Sequence, residues 1–260
     1  MGTGLWTKEQ VKLAFHLYCQ LPYGRIHGRN PEIMVLAKVI GRTSDAVAMK
    51  MLNIASIDPG VTGAGKAGLG NASALDRVVW DEFHSDWERL ASECHQLMQQ
   101  YGPQKQDELG TEEGAFLPED FTGETRQVLT AQRIKQHFFR RAVLSTYRGR
   151  CCMSGLSEQR LLIASHIVPW SRDKTNRLNP SNGLCLSAIH DRAFDKGLIS
   201  LTDDLRVMLS NDLIARDEPF IKATFLPLQG RQIEMPDRFR PEPAFLARHR
   251  AEVFLGSDSV

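Results

Sequence analysis

Two histidines with an asparagine between them, His166, Asn182 and His190, are the most distinctive reactive side chains of the 260-residue sequence. A histidine is the natural general base near neutral pH, because its reference pKa is about 6.5. Hydrolysis of a phosphodiester needs such a base to activate water, and a cation to offset the charge of the phosphate. Singly, each residue has an ordinary interpretation, such as a structural histidine or, for Asn182 before Gly183, a turn. Their order and proximity favour a catalytic site.

The block from 151 to 201 surrounds these residues with a longer pattern, in which SHI, PW, NGLxL and HDxxFDxG follow one another. The matching positions are Ser165, His166, Ile167, Pro169, Trp170, Asn182, Gly183, Leu184, Leu186, His190, Asp191, Phe194, Asp195 and Gly197. In this order and spacing the block resembles the HNH (ββα-metal) endonuclease family. The resemblance implies a ββα-metal fold and hydrolysis of DNA phosphodiester bonds.

The resemblance also implies a role for each of the three residues. The first histidine of the family motif, here His166, is the general base and lies on the second strand of a hairpin. The middle asparagine, here Asn182, orients that base through hydrogen bonding. The closing histidine, here His190, lies on the helix after the next strand and binds one divalent cation. That cation would be Mg²⁺, or another divalent ion such as Mn²⁺, and the products would carry 5′-phosphate and 3′-hydroxyl ends.

The block departs from the family pattern at the residue before the general base. An acid or a histidine that binds the metal is common there, whereas this sequence has Ser165, a poor ligand. Asp191 and Asp195, both close to His190, are the candidates for the missing acid. Helical periodicity does not choose between them, because neither aspartate points in the same direction as His190 around the helix axis.

The second departure is the absence of paired Cys-x-x-Cys motifs. Cys152 is followed by Ser154 and Gly155, so we expect no structural zinc. Hydrophobic contacts of Trp170, Phe194 and Leu198 should hold the small motif together instead. The five cysteines are scattered, and we expect free thiols rather than a disulfide framework.

The first 58 residues predict a helical module. Thr7, Pro31 and Thr43 or Ser44 each begin a stretch with helical spacing of apolar residues, and Gly41 separates the last two. Helix, short turn and helix form the local pattern of a helix-turn-helix, in which Arg42 and Lys50, with Asn53, would face DNA. The alternative is a small helical bundle that only packs on the rest of the protein.

The net charge of +1 hides a strong segregation of charge along the chain. Eleven Lys or Arg and only two acids lie between Arg126 and Asn182, whereas thirteen acids lie between Asp76 and Glu124. A local basic face is what meets a polyanion, although a merely solvated face is the simpler alternative. The residues predicted to contact nucleic acid there are Arg140, Arg141, Arg148, Arg150, Arg172, Lys174 and Arg177.

The remaining patterns complete an α+β prediction, with a helical, helix-turn-helix-like N-terminal module followed by a ββα-metal HNH nuclease domain. Residues 59–124 read as a Gly-rich loop, an acidic helix over about 75–100 and a polar linker. Residues 125–260 read as the nuclease domain, with a helix over 130–147, short strands in LLIASHIVPW, NGLCLS, LISL and RVMLS, and a helix over 241–254.

The sequence also bears on location and partners. No apolar run reaches the roughly 18 residues of a membrane span and the N-terminus lacks a signal-peptide pattern, which predicts a cytoplasmic protein. Double-stranded DNA is the expected partner, restriction-like defence the expected setting, and a homodimer or sequential nicks would be needed to cut both strands. The alternatives are a DNA-binding regulator with an inactive nuclease fold, and a nuclease acting on RNA or single strands.

Overall fold

The computed structural model describes residues 4–63, 65, 68–101 and 123–256, except for the side chains of 123–129. The helices are α1 (Lys8–Gln20), α2 (Pro31–Val39), α3 (Ser44–Ala55), α4 (Pro59–Gly63), α5 (Ala74–His84), α6 (Trp87–Tyr101), α7 (Gly123–Thr146), α8 (Ala188–Asp195), α9 (Asn211–Ile214), α10 (Pro219–Thr224) and α11 (Pro243–Glu252). The strands are β1 (Leu162–His166), β2 (Gly183–Ser187), β3 (Ile199–Leu201) and β4 (Val207–Leu209). Helices and two small sheets confirm the mixed composition that was predicted, while most of the predicted linker lies outside the described residues.

The chain folds as two compact units. The first comprises Met1–Cys19, Arg25–Ile57 and Ala67–Phe138, and the second comprises Gln20–Gly24, Asp58–Lys66 and Phe139–Val260. The division of the chain at residues 58 and 124 that the sequence suggested stays a prediction.

In the first unit, local side-chain chemistry sets where α2 and α3 begin. Asn30 caps α2 by accepting from the main-chain nitrogens of Glu32 and Ile33, and Thr43 caps α3 by accepting from that of Ala46. Gly41, with a φ of 68°, makes the turn between them. Two helices joined by a short turn are present as the sequence predicted, but a DNA-binding role for them stays a prediction.

Lys50 requires a correction. Its side chain is not on a DNA-facing surface, because it is buried, with 6% of the residue exposed. Its ammonium lies 2.8 and 3.0 Å from the two carboxylate oxygens of Asp76, which belongs to the capping box that begins α5. Arg42 is also engaged, since its guanidinium donates to the main-chain oxygens of Gly4 and Leu5. Lys50 is therefore a structural ion-pair residue, because α5 packs on the face of α3 that carries it.

In the second unit, β1 and β2 pair antiparallel, and α8 follows β2 directly. The register places Leu162 opposite Ser187 and His166 opposite Gly183. Ser187 ends the strand and caps the helix, since its hydroxyl accepts from the main-chain nitrogen of His190. Strand, strand and helix thus occur in the order of a ββα unit.

The strand that carries His166 differs from the expectation in one respect. His166 was expected on the second strand of a hairpin, but β1 is the first strand of its sheet. Residues 148–161 form turns and a short 3₁₀ helix instead of a preceding strand. The physical reason is tight local bonding, in which the main-chain nitrogens of Cys151 and Gly155 bond within the turn. The long loop from 167 to 182 then joins β1 to β2.

His249 on α11 makes the second unit sensitive to acid. Its ring stacks on Phe194 at 3.8 Å, its Nδ1 lies 2.9 Å from the Ser200 hydroxyl, and only 3% of the residue is exposed. Burial lowers its pKa to about 4. As the pH falls from about 6.5 to about 4, the unfolded chain takes up a proton that the folded protein does not, so stability is lost over that window.

We therefore expect the His249 contribution to the free energy of unfolding, about 3 kcal/mol, to be present above pH 6.5 and lost by pH 4. Urea unfolding of the wild type and a His249→Gln variant at pH 7.5 and pH 4.5 measures it. The variant should lose less stability on acidification than the wild type. An equal loss in the two proteins would rule out His249 as the source.

Candidate active site

His166 is held as a neutral imidazole at the end of β1. Its Nε2 donates to the main-chain oxygen of Arg177 at 2.9 Å. Because a carbonyl only accepts, Nε2 carries the proton and the lone pair is left on Nδ1. Burial lowers the pKa of His166 below its ordinary value, which keeps the imidazole unprotonated at neutral pH. The ring therefore has the protonation state that a general base requires.

Two aromatic rings fix the plane of that imidazole. Phe139 of α7 stacks on it with a centroid distance of 3.9 Å and an interplanar angle of 7°. Trp170 from the following loop meets it edge-on, at 5.5 Å and 88°. The sequence pattern included Trp170 but contained no signal for Phe139, which lies outside the motif and was assigned only to a helix. Phe139 could have been found only from the packing of α7 on the strands.

Asn182 organises the main chain beside His166 and makes no direct bond to its ring. It is fully buried, its Oδ1 accepts from the main-chain nitrogen of Val168 at 2.8 Å, and its Nδ2 donates to the main-chain oxygens of Val168 and Asn176. Its own main-chain oxygen accepts from Ile167. These bonds tie the two ends of the loop together immediately after His166. Asn182 thus fixes the main chain that follows His166.

Gly183 is required by close packing and not by a turn conformation. It is extended, with a φ of −130°, and it lies opposite His166 in the ladder. A Cβ at this position would lie 2.3 Å from Cγ2 of Val143 and 3.1 Å from Cζ of Phe139. The missing side chain is what lets α7 come close enough for Phe139 to reach the imidazole.

Substitution Gly183→Ala should therefore damage both stability and the setting of His166. Overpacking of this kind costs roughly 1–3 kcal/mol, because Val143 and Phe139 have to move. We expect a lower melting temperature and a slower cleavage step. The double variant Gly183→Ala, Val143→Ala, which removes the worst clash, should recover part of both losses. Wild-type stability and activity in the single variant would contradict this reading of the glycine.

His190 lies within the protein on α8, and 2% of it is exposed. Its Nδ1 is 2.9 Å from the Ser187 hydroxyl and 3.5 Å from the Cys151 sulfur, and the Phe225 ring meets it edge-on at 5.7 Å. Its Nε2 is buried and makes no hydrogen bond among the described residues. Burial raises the pKa of Cys151, but hydrogen bonds from His190 and Ser154 outweigh it and lower that pKa to about 6.

Asp191 and Asp195 form a pair of carboxylates on α8. They are four residues apart, so they lie about 40° apart around the helix axis and share one face. Burial raises the pKa of both; Ser165 opposes the rise at Asp191, and the charge of Asp195 adds to it. The Ser165 hydroxyl, one residue before His166, is buried. Asp191 thus lies beside the strand that carries His166.

The predicted nucleic-acid contacts fall into two groups. Arg140 donates to the main-chain oxygens of Leu162 and Gln159, Arg148 forms ion pairs at 2.6 Å with Glu234 and Asp237, and Arg172 pairs with Glu252 at 2.7 Å. Arg150 and Lys174 are exposed, and Arg141 and Arg177 are half-buried. Phosphate contact by these residues stays a prediction. For Arg148 it is weakened, because two carboxylates already neutralise its terminal nitrogens.

Comparison with known proteins defines the class of this site. Residues 151–202 match the profile of the HNH endonuclease family, so this part of the chain is an HNH endonuclease domain. HNH nucleases generally use a divalent metal ion. No group of three or more His, Cys, Asp or Glu suited to a metal occurs among the described residues.

Two other comparisons do not define the class of the site further. No curated protein is significantly similar to the chain. A solved structure of a modification dependent TagI restriction endonuclease aligns with 46% of this chain and 39% of that chain, at 19% identity and a TM-score of 0.31. The chain thus spans well under half of that protein. Within the part of the chain that the structure describes, no helix has the length and apolar character of a membrane span.

Proposed function

We propose that this chain hydrolyses phosphodiester bonds of double-stranded DNA in a reaction that depends on a divalent cation. His166 would be the general base, and Asp191 and Asp195 would hold the cation. The observation that carries the proposal is the fixed, neutral imidazole of His166 next to Ser165, a strand residue that interacts with the carboxylate of Asp191.

The base would act through Nδ1 of His166. Because Nε2 is bound to the Arg177 carbonyl, the lone pair of Nδ1 can accept a proton from water as that water attacks phosphorus. The same hydrogen bond then supports the imidazolium that forms. Asn182 keeps the carbonyl in place by tying Val168 to Asn176. Phe139 and Trp170 limit rotation of the ring, which reduces the entropy lost on reaching the transition state.

The carboxylate pair suits a hard divalent cation. The burial that raises the pKa of both acids disfavours the ionised pair until a positive charge offsets it. Carboxylate oxygens are the ligands that Mg²⁺ prefers, usually one or two of them with waters filling the remaining positions. When bound, the ion would polarise the phosphate and stabilise the leaving 3′ oxygen. Asp191 and Asp195 would therefore replace the acid that Ser165 does not supply.

His190 fits a structural role better than the predicted role of ligand. Its ring is enclosed by Ser187, Cys151 and Phe225. We propose that it fixes the start of α8, on which both carboxylates lie, and keep metal ligation by its free Nε2 as the alternative.

The choice of DNA rests on the basic stretch around the site and on the class of the domain. Restriction-like defence is part of the same proposal, and its support is the family resemblance alone. One such site cuts one strand at a time, so breaks in both strands would require a homodimer or two successive nicks.

Cleavage of matched substrates tests the proposal. Duplex DNA, single-stranded DNA and RNA of one sequence would be compared at one salt concentration, because affinity for phosphates depends strongly on salt. Duplex DNA with and without base modification would be included. We expect duplex DNA to be cut fastest. Faster cleavage of RNA or single strands would contradict the substrate proposed, and binding without cleavage would favour a DNA-binding regulator.

A further inference from the structure

Arg177 lies near the site, and no carboxylate neutralises it among the described residues. Its Nε donates to the main-chain oxygen of Trp170 at 2.8 Å, and its guanidinium carbon lies 5.2 Å from the centroid of the Trp170 ring. Its two terminal nitrogens have no partner within the described ranges. By contrast, Arg148 and Arg172 form ion pairs with acids.

Two contacts fix the position of the Arg177 guanidinium relative to His166. The main-chain oxygen of Arg177 accepts the Nε2 proton of His166, and its side chain lies over Trp170, whose ring meets the same imidazole edge-on at 5.5 Å. A half-buried cation held rigidly without a counter-charge costs free energy in the free protein. Such a cost is recovered when an anion binds beside it.

We propose that the terminal nitrogens of the Arg177 guanidinium bind the scissile phosphate and stabilise the charge that develops on it during cleavage. The proposal rests on the function proposed above and makes Arg177 a catalytic residue rather than one of several general phosphate contacts. The anion would be a phosphodiester, because the function proposed above brings one to His166. A planar guanidinium offers two parallel donors to phosphate oxygens, and preorganised donors of this kind act without reorganisation at the moment of reaction.

The side chain can be tested apart from the backbone, because the hydrogen bond to His166 comes from the main chain and survives substitution. Arg177→Ala and Arg177→Lys would be compared with Arg160→Ala. Arg160 is exposed and paired with Glu158, so the control removes the same charge away from the site. Single-turnover cleavage of a duplex would be measured with Mg²⁺, and affinity for the same duplex in EDTA.

We expect Arg177→Ala to slow the cleavage step about 100- to 1000-fold, while affinity falls less than about 10-fold. The slope of log affinity against log salt should fall by about one unit, as for one lost phosphate contact. Arg177→Lys should recover part of the rate. Guanidinium ion at tens of millimolar should accelerate Arg177→Ala when an equal concentration of sodium chloride does not. Arg160→Ala should cut at the wild-type rate.

Two results would overturn the proposal while the proposed function stands. One is a cleavage rate in Arg177→Ala within threefold of the wild type. The other is a large loss that neither lysine nor guanidinium restores and that accompanies a lower melting temperature, because Arg177 would then only hold Trp170 in place. If the wild type itself fails to cut under the same conditions, the function proposed above fails, and this inference fails with it.

Discussion

Replacement of His166 by alanine should lower the single-turnover cleavage rate at least about 1000-fold while duplex binding stays near the wild-type value. Positioned general bases contribute about 100- to 10,000-fold, and the rings that contact this imidazole, Phe139 and Trp170, cannot accept a proton in its place. Because burial lowers the pKa of His166, the acidic limb of the wild-type pH–rate profile should have an apparent pKa below 6.5. The rate should thus be level at neutral pH and fall only as the pH drops through that value.

The matched control for this variant is His249→Gln. Both histidines are stacked on a phenylalanine, but His249 contacts only Phe194 and Ser200 among the groups described above. At pH 7.5 the control should cleave DNA as the wild type does. Cleavage by His166→Ala within tenfold of the wild type would remove His166 from the role of base. If the residual rate of His166→Ala still fell on acidification with the same apparent pKa as the wild type, that pKa would belong to another group.

Substitution of Asp191 or Asp195 by asparagine should abolish cleavage and, in the absence of metal, should stabilise the fold. The pKa of each carboxyl is raised by burial, so the ionised form is disfavoured in the folded protein at neutral pH. An amide removes that penalty. We therefore expect a loss in rate of at least about 100-fold, together with a higher melting temperature in EDTA. Substitution of a residue that matters only for packing would not lower the cleavage rate and raise the melting temperature together.

Titration of the protein with Mn²⁺ in a calorimeter measures metal binding separately from cleavage. Asp191→Asn and Asp195→Asn should bind Mn²⁺ more weakly than the wild type, whereas Asp212→Asn, an exposed control on α9, should not. Full activity in both Asp191→Asn and Asp195→Asn would show that the metal site lies elsewhere. Loss of Mn²⁺ binding in His190→Ala, with binding retained in the aspartate variants, would assign the ion to the free Nε2 of His190.

The sequence predicts the candidate residues of the site but not their surroundings. His166, Asn182 and the aspartates of α8 are predicted because their order along the chain carries the family pattern. Asp191 and Asp195 share one face of α8, which is what a spacing of four residues implies. Comparing each of them only with His190 does not reveal this. What the pattern could not provide was which side chains are buried. The imidazole of His190 is enclosed by Cys151, Ser187 and Phe225, and only the packed structure shows this.

Interactions between residues distant in sequence account for the other differences. Lys50 looked available for DNA because helical spacing reports which residues share a face, but not which helix covers that face. Its partner Asp76 lies 26 residues further along the chain. Gly183 was open to interpretation as part of a turn, because its requirement arises from Val143 and Phe139 on α7. Neither pairing leaves a periodic signal in a single sequence.

The proposed metal-dependent nuclease activity is tested most directly with supercoiled plasmid. The purified chain is incubated with the plasmid in Mg²⁺ and in EDTA, and the ends of the products are then analysed. The arrangement of His166, Asp191 and Asp195 predicts nicked circles in Mg²⁺ with 5′-phosphate and 3′-hydroxyl ends, and no nicking in EDTA. Equal nicking in EDTA, or intact plasmid with Mg²⁺, Mn²⁺, Co²⁺ and Ni²⁺ alike, would contradict it.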